Sequence, residues 1–249
     1  MKLFITLVSA FILIISSQNQ DNFSILMSLK ESAMDIIEQN QKKINTNKDG
    51  SMADKRIDKA FIAKKTFDAY VKATENADWN VSNLKGSHDK QQLASALATF
   101  LSQARIVIAG IQPIINTDSD GSENPKGFYP AVFGRLTADN FFDKTGIKIK
   151  QTTLGKGYGA RNSKYNTPDE WEKAALIKLE NIYTSSEYGF GEEVSDGSNS
   201  NYRFIYPLVI KKACLSCHGD PKGEKDISGY VKEGYKVGEL RGGISIILP

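Results

Sequence analysis

Residues 214–218 read Cys-Leu-Ser-Cys-His. They hold both cysteines and one of the two histidines of a 249-residue chain. No other feature restricts the chain as much, because both of its thiols and half of its imidazole must serve one compact site. C-x-x-C-H is the spacing at which a haem is attached covalently. Each position has a task in that chemistry. Cys214 and Cys217 add across the two vinyl groups to form thioethers. His218 presents its imidazole to the iron as the proximal ligand. One covalent haem c is therefore the expected cofactor.

Other readings of the same residues are weaker. A disulfide between Cys214 and Cys217 would leave His218 without a task. A thioredoxin-type pair belongs at the start of a helix in a βαβ unit. Here a strand-like run over residues 202–212 comes first and Gly219-Asp220-Pro221 follows, which reads as a strand leading into a turn. Zinc takes four tetrahedral ligands. Three from one five-residue stretch fit that geometry poorly, and beyond them only His88 and carboxylates remain.

The N-terminus is a different material. Lys2 supplies a positive start, residues 3–15 are almost wholly apolar, and Ser16-Ser17-Gln18-Asn19 ends the run. This is the outline of a secretory signal over residues 1–17. A comfortable membrane span needs about 20 apolar residues, so the run is short for one. An uncleaved N-terminal anchor is the alternative, and membrane attachment follows only in that case. Export and covalent haem addition support each other, since bacteria attach this haem outside the cytoplasmic membrane. A periplasmic or otherwise extracytoplasmic location is expected.

Along the chain, residues 24–42 predict a helix, with Ile25, Leu29, Ala33, Ile36 and Ile37 at three- and four-residue steps. A second helical pattern covers residues 53–76. A third covers residues 90–115, with Pro113 perturbing its end. Residues 130–144 predict a shorter helix, stopped by Gly146. Residues 146–154 alternate as a strand. Thr167-Pro168-Asp169-Glu170 reads as a helix start, with Thr167 as cap and Pro168 in first position. Strands are expected over residues 202–210 and 243–248. Helices followed by strands argue an α+β class, with residues 24–249 as one domain and 24–115 as its helical part. Residues 44–51 and 115–122 resemble each other and the opening of a calcium loop. Arg56 and Gly127 stand where a closing Glu belongs, so both read as polar turns.

Around the motif the wording becomes specific. Residues 128–135 read Phe-Tyr-Pro-Ala-Val-Phe-Gly-Arg and residues 144–152 read Lys-Thr-Gly-Ile-Lys-Ile-Lys-Gln-Thr. Ala160-Arg161-Asn162 and residues 166–172 follow, then residues 214–221, then residues 233–245 from Glu233-Gly234-Tyr235 to Gly243-Ile244-Ser245. This series resembles the family of exported c-haem domains with a PAS-like fold, catalogued as of unknown function. Its members occur alone or as the outer sensing part of histidine kinases and chemotaxis receptors. The resemblance covers roughly residues 30–249 and is strongest from Gly127 onward. It implies a twisted antiparallel sheet with flanking helices, preceded by long N-terminal helices. It also implies thioethers at Cys214 and Cys217 and a proximal ligand at His218. Some members carry a cysteine on an early helix that takes the far side of the iron. This chain has no third cysteine, so that ligand does not carry over. The family's usual Pro after Asn162 is replaced by Ser163.

Other residues carry lesser expectations. His88 is a candidate sixth iron ligand, though a solvated loop histidine is the favoured reading. Met27, Met34 and Met52 are further candidate iron ligands, though methionines on helical stripes are more often core. Arg161 and Arg241 are candidates for pairing with the haem propionates, because a guanidinium forks onto a carboxylate; either could equally be a solvated surface arginine. With two histidines, a Ser-His-Asp arrangement has little room, and a peroxidase-like enzyme would have only His88 as distal base. The chain is read as non-enzymatic. Its 32 basic and 29 acidic residues nearly balance, and no polybasic block or aromatic–basic interleaving implies nucleic acid.

Two functions compete. One is a haem-based sensor of a small gas or of redox state. Nothing after residue 248 reads as an output domain, so it would signal through a separate partner protein. The other is an electron-transfer cytochrome c with a redox partner protein.

Overall fold

Aspartate caps set the frame of the N-terminal half. In the computed structural model, which describes residues 21–182, 189–197 and 199–249, three long helices each begin with an Asp. Its carboxylate accepts from a backbone N–H three residues on, satisfying a donor that the first turn leaves orphaned. Helix α1 (Asn22–Asn45) starts this way at Asp21, with Ser24 N donating at 2.7 Å. Helix α2 (Lys59–Ala73) starts at Asp58, with Phe61 N donating at 2.7 Å. A single turn, α3 (Val81–Leu84), follows. Helix α4 (Lys90–Asn116) starts at Asp89, with Gln92 N donating at 3.0 Å. Pro113 lies inside α4, not at its end. It withholds one N–H, but its own carbonyl still accepts from Thr117 N at 2.9 Å, so the last turn closes. The second helix is shorter than the sequence predicts, because residues 53–57 form no regular structure, Arg56 being left-handed at φ 53°, and Asp58 sets the start.

Helix α5 (Pro130–Thr145) has Pro at its first position and ends on Gly146, left-handed at φ 72°. Strand β1 (Lys148–Thr152), the single turn α6 (Ser163–Asn166) and helix α7 (Glu170–Ile182) come next. The helix-start expectation at Thr167 and Pro168 is corrected by two residues. Asp169 Oδ1 accepts from Glu172 N at 2.8 Å, and Glu172 Oε2 accepts from Asp169 N at 2.9 Å. This reciprocal box satisfies two orphaned donors. Strands β2 (Phe190–Asp196) and β3 (Asn199–Val209) form a hairpin. The single turn α8 (Leu215–His218) precedes the last strand, β4 (Leu240–Leu248).

The four strands form one antiparallel sheet in the order β1-β4-β3-β2. Alternation along each strand sends side chains to opposite faces. Phe204, Ile244, Ile246 and Leu248 join α1, α2, α4 and α5 in the main core, while Ile205 meets Ala175, Leu176 and Leu179 of α7. The result is helices, sheet, helix: an α+β arrangement, as expected from the sequence. Strand β2 is not foreseen there. It is an edge strand that carries Glu192 and Glu193, and such charges protect an open edge while masking the strand pattern.

The two similar turns are polar turns, and they dock on each other. Asn47 Nδ2 donates to Ser119 Oγ at 2.8 Å, Ser119 N donates to Asn47 Oδ1 at 3.2 Å, and Lys48 N donates to Asp118 Oδ2 at 2.9 Å. The Lys126 ammonium occupies the space between them, bonded to Asp118 Oδ1 at 2.6 Å and to the Thr46 carbonyl. This clamp ties the end of α1 to the end of α4. Among the described residues, no cluster of His, Cys, Asp and Glu could hold a metal ion.

Candidate haem site

A loop over residues 211–239 leaves β3 and returns to β4. Its neck is closed by Ile210 N donating to Glu239 O at 2.9 Å and Gly238 N donating to Ile210 O at 2.9 Å. The motif lies at its start. The sequence reading of a strand running into a plain turn is corrected here. Lys212–Cys214 is a 3-10 turn that continues directly into α8. In a helix, positions i, i+3 and i+4 share one face. Cys214, Cys217 and His218 stand in that relation, so the two thiols and the imidazole emerge together. Gly219 N donates to Leu215 O at 2.9 Å and closes the turn. A Cβ at Gly219 would come within 2.7 Å of that carbonyl, so the close approach requires glycine. Both cysteines are free thiols and partly buried, and burial pushes the Cys217 thiol's pKa up.

Behind the motif stands a buried carboxylate. His218 Nδ1 lies 2.9 Å from Glu233 Oε2, and the ring meets Tyr235 edge-on. The Tyr235 N–H donates to the His218 carbonyl at 2.8 Å, so backbone and ring are held together. Glu233 is gripped from two more directions. Arg161 donates from Nε to Oε1 at 2.9 Å and from Nη2 to Oε2 at 2.8 Å. Arg241 donates from Nη2 to Oε1 at 3.1 Å. Burial alone would raise this carboxyl, but the bonds from His218 and Arg161 and the charge of Arg241 outweigh it and push its pKa down to about 2.

An ionised carboxylate only accepts, so Nδ1 must carry the proton and donate to Glu233. Arg241 Nε, 3.3 Å from the same Nδ1, then has no lone pair to donate to there. The shorter, charge-assisted bond to Glu233 decides the tautomer. His218 is thus held neutral with Nε2 unprotonated. Burial is the main cause that lowers its pKa, and the two arginine charges act the same way against the Glu233 bond. A neutral imidazole whose far nitrogen is fixed by a carboxylate is the arrangement found behind metal-bound histidines.

The structure brings Arg161 and Arg241 to the motif but gives them other partners than the propionates expected of them. Arg161 threads the loop. Besides Glu233 it donates to Asp226 Oδ2 at 2.7 Å, to the Cys217 carbonyl at 2.7 Å and to the Val231 carbonyl at 3.0 Å. All three of its nitrogens are engaged. Arg241 donates to Thr153 Oγ1 as well as to Glu233. Both arginines neutralise and orient Glu233, and Arg161 also organises the loop.

His88 is not brought to the motif. It stands exposed in the turn before α4. Arg105, which shares a charge interaction with Cys214, lies about 22 Å along α4 from its start at Lys90, at 1.5 Å per residue. The exposure of His88 agrees with its reading as a solvated loop histidine. Met27 packs against the core, and Met52 is exposed beside Thr46.

Three participants are not singled out by the sequence. Glu233 opens one of the runs that carry the resemblance, but nothing local gives it or Asp226 a role at the motif. Arg105 did leave a signal: beyond Lys90 it is the only charged residue of α4.

The chain matches known proteins as follows. The family model described as Tll0287-like matches residues 16–249. The crystal structure of the cyanobacterial heme protein Tll0287 is 18% identical, covers 60% of this chain and 88% of that chain, and superposes with a TM-score of 0.46. No curated protein matches.

Proposed function

The chain belongs to the Tll0287-like family, and we propose on that footing that it is an exported monohaem c-type cytochrome of PAS-like fold that senses a small gas or redox state. Cys214 and Cys217 would hold the haem as thioethers, and His218 Nε2 would meet the iron. Bound there, the haem supplies a redox-active iron that can also take a small ligand. The residues fit such a group. Two thiols and an unprotonated imidazole nitrogen leave one helical face, and Glu233 stands behind the imidazole to hold its tautomer. That bond, 2.9 Å from Nδ1 to Oε2, is the observation that carries the haem reading.

Two further points support the finer claims. The other histidine of the chain lies at the far end of α4, which favours an iron without a histidine on its second side. Such a site can admit a gas. The apolar run over residues 3–15 supports export, although it lies outside the described residues. A partner protein would read the state of the haem, and no catalytic role is assigned to the chain.

The test is the absorption spectrum of the ferrous holoprotein with and without carbon monoxide. A fast shift of the Soret band on adding the gas is the expected result. An inert six-coordinate spectrum would refute the sensing of gas and leave electron transfer as the function.

A further inference from the structure

Helix α4 is apolar along almost its whole length, yet Arg105 sits in its middle. The turn over Lys212–Cys214 packs against the same helix. The charged or ionisable groups that act on Arg105 are Cys214 and Arg241, and no carboxylate is among them. Its Nε is sealed from solvent without a hydrogen-bond partner. Among the described residues, no ion pair or hydrogen bond involves any nitrogen of this guanidinium. Burial pushes its pKa down to about 10.

The neighbouring charges sharpen the point. Arg161 and Arg241 face Glu233 and Asp226, so those two cations are matched by two anions. Arg105 is the surplus cation. Arg105 is half-buried, with Nε sealed and the tip of the guanidinium still open, and a charge even partly withdrawn from water is costly unless something pairs with it. The surroundings are nevertheless built around it. Gly134 of α5 passes so close that a Cβ there would come within 2.9 Å of Arg105 Cδ and 3.0 Å of Gln151 Nε2. Gln151 Oε1 is likewise buried without a partner. The guanidinium has a fitted berth and five donors, and among the described residues none of these donors finds an acceptor.

We propose that Arg105 is an anion-binding residue beside the Cys214 end of the motif, and that the anion is a carboxylate carried by the haem. This rests on the haem reading above. The chemistry required is a compact anion whose acceptor atoms fork onto a guanidinium. A small free anion bound at the iron would satisfy it as well, and the experiment separates the two sources.

The experiment uses the matured holoprotein, with Arg105→Gln and Arg105→Lys beside the wild type. Haem staining and circular dichroism establish first that each is loaded and folded. Resonance Raman spectra then read the carboxylate-bending band of the haem, and titration with azide reads the affinity of the ferric protein for a free anion. If the haem supplies the anion, Arg105→Gln shifts the bending band, Arg105→Lys shifts it less, and azide affinity stays within about twofold. If a free anion is the occupant, azide affinity falls tenfold or more in Arg105→Gln while the band is unmoved. A variant with neither change overturns the proposal. If Arg105→Gln does not mature, Arg105→Lys carries both readings. Should the wild type itself take no stain, the haem reading has failed. The anion site is then judged on the haem-free chain, where inorganic phosphate should raise the unfolding midpoint of the wild type and not of Arg105→Gln. An equal response in both would overturn it.

Discussion

Replacing Glu233 with Gln removes one charge from the centre of the site and keeps its shape. The side chain is 1% exposed, and its partners Arg161 and Arg241 are 17% and 14% exposed, so solvent screens the contacts little. The carboxyl's pKa is pushed down from 4.5 to about 2. Each pKa unit is worth about 1.4 kcal/mol, so the folded state favours the ionised form by about 3 kcal/mol. That agrees in order of magnitude with the roughly 3–5 kcal/mol lost when a buried pair loses one partner. At neutral pH the variant should therefore be less stable by about 3 kcal/mol. In a domain of this size that lowers the melting temperature by about 6–12 °C. The pH dependence has a definite sign. A depressed folded pKa contributes stability that is fully present above the unfolded value of 4.5 and is lost as pH falls toward 2. Wild type should lose this contribution between about pH 5 and pH 2, and Glu233→Gln should have none to lose. Urea unfolding of the two holoproteins at pH 7 and pH 3, followed by circular dichroism, measures both effects. A difference at pH 7 below about 1 kcal/mol, or the same gap at both pH values, would refute the reasoning.

Three more outcomes are expected. Changing Cys214 and Cys217 together to Ser should abolish haem-dependent peroxidase staining on a denaturing gel, whereas the wild type from a host able to mature c-type cytochromes should stain. His218→Ala, if it matures, should lose the native Soret spectrum, while His88→Ala should leave ferric and ferrous spectra unchanged; conversion of a low-spin to a high-spin spectrum in His88→Ala would contradict its placement. Cell fractionation with N-terminal sequencing should find the holoprotein outside the cytoplasm and locate its mature start. Holoprotein recovered in the cytoplasm would contradict export.

Much of the chain is legible because its determinants are local. Cys214, Cys217 and His218 lie within one helical turn, so their spacing already states that they act together. Leu29, Ala33 and Ile36 recur with the period of a helix face, and the alternation in β1 and β3 marks strands. Where local signals compete, boundaries move. Thr167, Pro168 and Asp169 all suit a helix start, and only the reciprocal bond with Glu172 selects Asp169.

The tertiary structure alone decided what surrounds the motif. Glu233 follows His218 by 15 residues, Arg161 precedes it by 57, and Arg105 precedes Cys214 by 109. No local pattern relates such positions, because their meeting depends on how β1, β4 and the 211–239 loop close around one another. The same holds for the two arginines. The sequence offers a guanidinium with two suitable classes of partner, a haem carboxylate or a protein one. The partner is the anion that the fold brings within hydrogen-bonding distance: Glu233 and Asp226 for Arg161, Glu233 for Arg241, and none among the described residues for Arg105. Spacing specifies a covalent chemistry that acts over one turn of helix. Electrostatic pairing acts through space, and the chain must fold before its partners exist.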